Sequence, residues 1–104
     1  MMRKPPAEID NMAEMRAQID EIDGALIALL AERQAHVDCV PALKKLAGIS
    51  AAAPSRAADV LEKVSARAEA EGFAPDLARA MWQQMIDFYV AREQEHLGTA
   101  GADL

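Results

Sequence analysis

The chain has 104 residues, a hydrophobic content of 52% and a formal net charge of −6. The negative charge argues against binding to nucleic acid or a membrane surface, and the hydrophobic content is too high for a disordered chain. The length predicts one small domain, and because a monomer of this size buries only a modest core, oligomerisation is expected.

Alanine, leucine and glutamate dominate, and β-branched and aromatic residues are few, which favours an all-α protein. The single cysteine, Cys39, excludes a disulfide framework and a thiolate metal site and is predicted to be a buried thiol. The sequence has no metal-ligand motif, so no metal or cofactor is expected. A cytoplasmic protein is predicted, because the sequence contains neither a membrane-span-length apolar run nor a hydrophobic signal-peptide core.

The first predicted element is a flexible tail at residues 1–11, where Pro5 and Pro6 resist helix formation. Asn11 is predicted to cap the helix that follows, with Glu14 as its capping-box partner three residues on.

A long first helix is predicted over residues 12–45. Apolar side chains recur along it three or four residues apart, as a buried stripe requires. They are Ile19, Ile22, Leu26, Leu29, Leu30, Val37, Val40 and Leu43. Because Pro41 removes a backbone donor and collides with the preceding turn, a kink is expected near residues 37–40. The alternative is that the helix stops there and restarts.

Two shorter helices are predicted to follow. A connection over residues 48–54 leads to a second helix over 56–71, with Ser55 as a possible N-cap and Gly72 as the C-cap residue. The third helix is predicted from Pro75, which suits a helix start, to about residue 96. Its predicted buried face comprises Leu77, Met81, Trp82, Met85, Phe88 and Tyr89. The helical domain is thus assigned to residues 12–97, and residues 98–104 are predicted to form a flexible tail.

Three cations, Arg16, Arg33 and Lys44, lie on or beside the apolar stripe of the first helix. Arg33 and Lys44 are eleven positions apart, which returns a helix almost to the same side about 16 Å further along. Two long side chains so placed could grip one small molecule. Arg16 lies about 25 Å from Arg33 along the helix, so a functional Arg16 would have to serve a site completed by another chain.

These cations suit a small dicarboxylate, because arginine binds carboxylates in a bidentate fashion and lysine acts as a compact point charge. The alternative is that all three are solvated residues whose stems cover apolar surface. Composition and spacing do not decide between the two interpretations.

The segments MRAQIDEIDGALIALLAER, Lys44, SRAADVLEKV and AEAEGF, followed by a third helix, resemble the all-helical (type II) chorismate mutase family. The resemblance covers about residues 12–96. It implies three-helix chains with a long first helix, intertwined as a homodimer whose active sites use both chains. It also implies a cytoplasmic isomerase of chorismate metabolism and aromatic amino-acid biosynthesis.

The resemblance further implies a role for each matched residue. Arg16 of the partner chain and Arg33 would hold the two carboxylates of chorismate, and Lys44 would donate to its ether oxygen. Arg56 matches a further arginine that would add positive field near the ring. Glu93 occupies the position where the family usually places a glutamine that bonds the ether oxygen.

The implied reaction is the [3,3] rearrangement of chorismate to prephenate, catalysed by selecting a chair-like conformer and stabilising charge on the ether oxygen. Glu93 can donate a hydrogen bond only when it carries a proton. Activity is therefore predicted to rise as the pH falls below neutrality. The alternative for Glu93 is an ordinary surface ion pair, with Arg92 or a lysine.

Two other functions stay open at this point. Ala57 stands where mutases commonly carry a glutamate, and the segment MIDFYVARE, with Tyr89, is similar to the isochorismate-pyruvate lyases of the same fold. Those enzymes release salicylate and pyruvate from isochorismate. The third hypothesis is a non-catalytic helical dimer that binds a small anion or a partner enzyme.

Overall fold

A computed structural model describes residues 3–103. This part of the chain forms a short 3-10 helix at Pro6–Glu8 and three α helices, α1 (Met12–Ala47), α2 (Pro54–Glu71) and α3 (Pro75–Leu97). The predicted all-α class is confirmed. None of the helices in residues 3–103 is long and apolar enough to cross a membrane.

The chain divides into two compact units, of which one extends to His36 and the other begins at Val37. In the first unit, the backbone N–H of Glu14 donates to the side-chain oxygen of Asn11 at 2.8 Å. The side-chain amide of Asn11 in turn donates to the Glu14 carboxylate at 3.2 Å. The prediction that Asn11 caps α1 is therefore confirmed. Glu14 is its partner through the Asn11 side-chain amide, and not through the Asn11 backbone N–H as in a standard capping box.

The residues before α1 contact its first turns. Gln18 exchanges two hydrogen bonds with the backbone of Lys4, at 3.0 and 2.7 Å. The Lys4 ammonium lies 2.6 Å from the Glu14 carboxylate, and this hydrogen bond holds the pKa of Glu14 below its ordinary value. The assignment of residues 1–11 and 98–104 to flexible tails stays a prediction; residues 1, 2 and 104 lie outside the described residues.

The helix α1 continues through Pro41 into the second unit and ends at Ala47. The alternative that the helix stops and restarts at this proline is therefore wrong. Pro41 has no N–H to donate to the carbonyl of Val37, so one helical hydrogen bond is missing. The kink expected near residues 37–40 stays a prediction.

The helix α2 begins at Pro54, two residues earlier than predicted, and Ser55 is not its N-cap. The N-cap position belongs to Ala53, whose backbone is left-handed, with φ 34°, and which makes no side-chain capping bond. Proline is well suited to the first helical position because its missing donor would have no partner there. Ser55 therefore lies inside the first turn. The C-cap prediction is confirmed, since Gly72 has φ 76° and donates to the carbonyls of Ala68 and Glu69.

The second unit contains the few buried residues of the described chain. Its helices α2 and α3 pack against each other. Within residues 3–103 the buried apolar side chains are all alanines, and Ser50 and Glu93 are the buried polar residues. The alanines are Ala51, Ala53, Ala68 and Ala78.

Most of the predicted apolar stripe and third-helix face is accessible in a single chain. In α1, Leu26 is 52% and Leu29 63% exposed; in α3, Leu77 is 51% and Phe88 61% exposed. The prediction that Cys39 is buried is wrong, because its side chain is exposed. The periodicity of a helix locates an apolar face but does not show whether the same chain covers it.

Candidate active site

Lys44 and Glu93 meet in a mostly buried ion pair. The Lys44 Nζ donates to the Glu93 Oε2 at 2.7 Å, and the two residues are 49 positions apart in the chain. Glu93 is only 7% exposed. The structure therefore brings Lys44 and Glu93 into contact, and these are the two residues predicted to lie beside the ether oxygen of a substrate. Glu93 is not the surface ion-pair residue of the alternative interpretation.

A second contact fixes the Lys44 ammonium in addition to Glu93. Its Nζ also donates to the backbone carbonyl of Ala51 at 2.8 Å. Ala51 lies in the connection between α1 and α2, where Ser50, Ala51 and Ala53 are all buried. The hydroxyl of Ser50 accepts the N–H of Ala53 at 3.1 Å, which closes this connection into a tight turn. Lys44 is therefore held by one side chain and one carbonyl.

The chemistry of this arrangement follows from the donor count of lysine. An ammonium has three N–H donors, and its contacts with Glu93 and Ala51 use two of them. The remaining N–H can meet an acceptor on a bound molecule. Because the two contacts already fix the nitrogen, little reorganisation is needed when charge develops on that acceptor.

Glu93 also lines a pocket of about 280 Å³ between α1 and α3, just below the usual volume range for sites that bind small molecules. The residues around it are Val37, Asp38, Pro41, Tyr89, Arg92, Glu93 and His96. Arg92 and Asp38 face each other across 3.4 Å. The lining residues Tyr89, Arg92, Glu93 and His96 are spaced three or four apart along α3, so they share one face of that helix.

The contact between Asp38 and Arg92 was not predicted from the sequence, which suggested Arg92 only as a partner of Glu93. The actual partner of Arg92 is Asp38, while Glu93 pairs with Lys44. The only local signal for this contact is the helical spacing that places Arg92 beside the site positions of α3. The identity of its partner on α1 depends on how two distant helices pack.

Arg56 lies in the first turns of α2 and is exposed. Its guanidinium donates to the Asp59 carboxylate at 2.7 Å, and Lys63 contacts the same carboxylate at 2.9 Å. The hydrogen bond from Lys63, together with that from Arg56, holds the pKa of Asp59 below its ordinary value. Arg56 is thus a surface cation whose charge is partly balanced by its own helix.

Arg16 and Arg33 belong to the unit that ends at His36, whereas the Lys44–Glu93 pair belongs to the other. Arg16 is exposed and Arg33 is half-buried. Neither arginine forms a salt bridge or a side-chain hydrogen bond with another residue in the range 3–103. Their charges are therefore not neutralised by a carboxylate within that range.

Two comparisons with known proteins place this chain in a family. The sequence model of the family described as chorismate mutase type II matches residues 15–94, which include all five of the predicted site residues. The chain is also 26% identical over 89 residues to a chorismate mutase of Methanocaldococcus jannaschii. That alignment covers 86% of this chain and 90% of the archaeal protein. The chain belongs to the type II chorismate mutase family.

Proposed function

We propose that this protein is a chorismate mutase, which converts chorismate to prephenate. Membership of the type II family supports the activity. The observation that carries the proposal within the structure is the Lys44–Glu93 contact, in which a mostly buried ammonium is fixed by two acceptors. An ammonium held in this way is the group that a charge-separating rearrangement of a small anion requires.

The rearrangement breaks the bond between the ether oxygen and the ring and forms a carbon–carbon bond, with no proton transfer and no covalent intermediate. The protein therefore contributes orientation and electrostatics. Lys44 directs its remaining N–H at the ether oxygen, where negative charge grows in the transition state. Glu93 and the Ala51 carbonyl keep the Lys44 nitrogen in place. Removal of one donor of this kind typically lowers kcat by about a hundredfold to a thousandfold.

The two carboxylates of chorismate require cations of their own. We assign Arg33 and the partner chain's Arg16 to them, because a guanidinium binds a carboxylate through two parallel hydrogen bonds. The absence of ion pairs at both arginines within residues 3–103 supports this assignment, since each guanidinium keeps its donors for a ligand. Arg56, which stays bonded to Asp59, adds positive field at the ring side of the substrate.

A homodimer is part of the proposal because the single chain leaves its apolar side chains in water. No large side chain among residues 3–103 is fully buried, and twelve large apolar side chains are exposed. A chain of this size with such a small core needs an additional source of stability. A second copy covering the α1 stripe would supply it and would place Arg16 near a second site. Sedimentation at low micromolar concentration should give twice the mass of one chain, and a single-chain mass would contradict the proposal.

The activity is tested by supplying purified protein with chorismate and, separately, with isochorismate. Prephenate formation from chorismate, at a rate well above the uncatalysed reaction, supports the proposal. Salicylate and pyruvate from isochorismate, without prephenate from chorismate, would replace it with the lyase function. No turnover of either substrate between about pH 5 and pH 8 would overturn both and leave a non-catalytic dimer. Product identity is measured by chromatography against authentic standards.

A further inference from the structure

The residues at the end of the described chain bond to the connection between α1 and α2. We call residues 101–103 the C-terminal strap. The backbone of Ala102 forms a parallel bridge with Ile49. In this bridge the N–H of Ser50 donates to the carbonyl of Ala102 at 2.7 Å, and the N–H of Ala102 donates to the carbonyl of Gly48 at 2.8 Å. The strap therefore satisfies backbone groups on either side of Ile49.

The strap continues to the start of α2. The Asp103 carboxylate accepts two hydrogen bonds from Ser55, one from its backbone N–H at 2.9 Å and one from its hydroxyl at 2.7 Å. These bonds hold the pKa of Asp103 below its ordinary value. A carboxylate at the first turn of a helix satisfies a free N–H and interacts favourably with the helix dipole. Asp103 thus performs the capping role predicted for Ser55.

The approach of the strap to the connection leaves no room for a side chain at Gly101. A Cβ atom at this position would lie 2.6 Å from the backbone nitrogen of Ser50 and 2.7 Å from the carbonyl carbon of Ile49. Gly101 also has φ 115°, a conformation that residues with side chains rarely adopt. Only glycine fits here without displacing the strap.

These contacts lie on both sides, in sequence, of Ala51, whose carbonyl accepts from Lys44. Ala51, whose carbonyl accepts the Lys44 ammonium at 2.8 Å, immediately follows Ser50 and precedes Ser55 by four residues. The strap bonds to Ser50 on one side of Ala51 and to Ser55 on the other. The position of the Ala51 carbonyl is therefore fixed from both directions by residues that are distant in the sequence.

We propose that the C-terminal strap is a positioning element of the active site, in which Gly101 and Asp103 fix the connection whose Ala51 carbonyl aims the Lys44 ammonium. Gly101 and Asp103 touch no substrate in this arrangement and act through Ala51. The proposal rests on the proposed function, because aiming Lys44 matters to a reaction only if Lys44 serves it. A purely structural strap would stabilise the fold without changing how fast the bound substrate reacts.

Two strap variants and a matched glycine control test the proposal in the full-length chain. Gly101→Ala introduces the clash with Ser50, and Asp103→Ala removes both bonds to Ser55. Gly72→Ala is the control, because Gly72 also has a positive φ, of 76°, but lies in the left-handed helical region at the end of α2, and a methyl group added there would have no atom within 4 Å. Amide hydrogen exchange is followed at Ser50 and Ser55, and kcat and KM are measured with chorismate.

Each strap variant should speed amide exchange by about tenfold or more at one or both of Ser50 and Ser55. Each should also lower kcat by about tenfold, while KM changes less than about twofold. The control should leave exchange at these two amides and kcat within about twofold of wild type. Unchanged amide exchange in both strap variants would show that the strap does not hold the connection between α1 and α2. Faster exchange with unchanged kcat would overturn its role in aiming Lys44.

The exchange measurement also separates this proposal from the proposed function. If the wild-type protein has no mutase activity, the proposed function and the catalytic role of the strap both fail, while exchange at Ser50 and Ser55 still decides whether the strap holds the connection. If the wild type is active and only the strap variants lose kcat, both proposals are supported.

Discussion

The two units of the chain differ in how completely their polar groups are satisfied. In the unit that begins at Val37, Lys44 and Glu93 are paired and the turn around Ala51 is buried. In the unit that ends at His36, α1 has no buried residue, and Arg16 and Arg33 have no ion-pair partner within residues 3–103. The second unit contains a mostly buried lysine–glutamate pair, whereas the first unit leaves Arg16 and Arg33 without an ion-pair partner in that range. Both units expose large apolar side chains.

This difference indicates which catalytic tasks depend on one chain alone. The contacts proposed to aim Lys44 lie within the second unit, so they need no other molecule. The carboxylate-binding role proposed for Arg16 needs a second chain. Substitutions in the second unit should therefore act on each chain independently, and a substitution at Arg16 should act on the neighbouring chain's site.

The largest effect is expected for Lys44→Ala. Loss of the ammonium removes the proposed donor to the ether oxygen and leaves the buried Glu93 carboxylate without its partner, so kcat should fall by at least about a hundredfold. Lys45→Ala is the matched control, because Lys45 is the adjacent, exposed lysine. Steady-state kinetics with chorismate measure both. Equal losses in the two variants would remove Lys44 from the site.

The next largest effect is expected for Arg16→Ala, which should lower kcat/KM by about a hundredfold through loss of a bidentate carboxylate contact. Arg67→Ala, at another exposed arginine, should change it less than about twofold. Mixing Arg16→Ala chains with Arg33→Ala chains should restore part of the activity, because one site in each mixed dimer keeps both arginines. No recovery, with subunit exchange verified by mass spectrometry, would contradict a site shared between chains.

A smaller effect is expected for Glu93→Gln, which tests whether the partner of Lys44 must be a carboxylate. The amide oxygen of glutamine can still accept from the Lys44 ammonium, so kcat should change by less than about tenfold, in contrast to Lys44→Ala. Glu95→Gln, at an exposed glutamate of the same helix, should leave kcat within about twofold of wild type. A loss of kcat in Glu93→Gln as large as that in Lys44→Ala would show that the carboxylate charge itself is required.

The smallest effect concerns the stability contributed by Asp103. Its hydrogen bonds with Ser55 hold the pKa of Asp103 below the ordinary value. A depressed folded-state pKa means that the stabilisation is present at neutral pH and is lost as the pH falls through the folded-state value. Asp103→Asn should therefore lower the melting temperature by a few degrees at neutral pH.

The effect of the same substitution should shrink as the pH falls through the lowered folded-state pKa of Asp103, because the wild-type carboxyl group then also becomes neutral. Asp87→Asn makes the same change of charge at an exposed position of α3 and serves as the control. A difference between Asp103→Asn and wild type that persists unchanged at acid pH would assign the effect to packing and not to the carboxylate charge.

The helices were predictable because their signals are local. The Asn11 cap, the proline before α3 and Gly72 after α2 each act within a few residues, and all three lie where the sequence places them. The start of α2 was predicted two residues too late. Pro54 suits the first position of a helix and Ser55 suits an N-cap, and because the two residues are adjacent their local signals compete. The carboxylate that satisfies Ser55 comes from Asp103, which is 48 positions away.

The candidate site was predictable only in part. The spacing of Arg33 and Lys44 on one helix follows from geometry, but the pairing of Lys44 with Glu93 came from the family resemblance, since no periodicity links residues on different helices. The Asp38–Arg92 contact at the pocket was missed because neither the helical spacing nor the family resemblance identifies Asp38 as the partner of Arg92. The exposure of the α1 stripe shows the same limit, because a sequence reports an apolar face but not the molecule that covers it.

The left-handed backbone of Ala53 sets limits on how this protein can change by mutation. Ala53 has φ 34° and is only 2% exposed. Glycine would relieve the backbone strain but would lose a buried methyl group, and the two effects are of similar size, about 1 kcal/mol each. Larger side chains would meet both the strain and a filled space. Position 53 should therefore accept alanine or glycine about equally and reject almost every other residue.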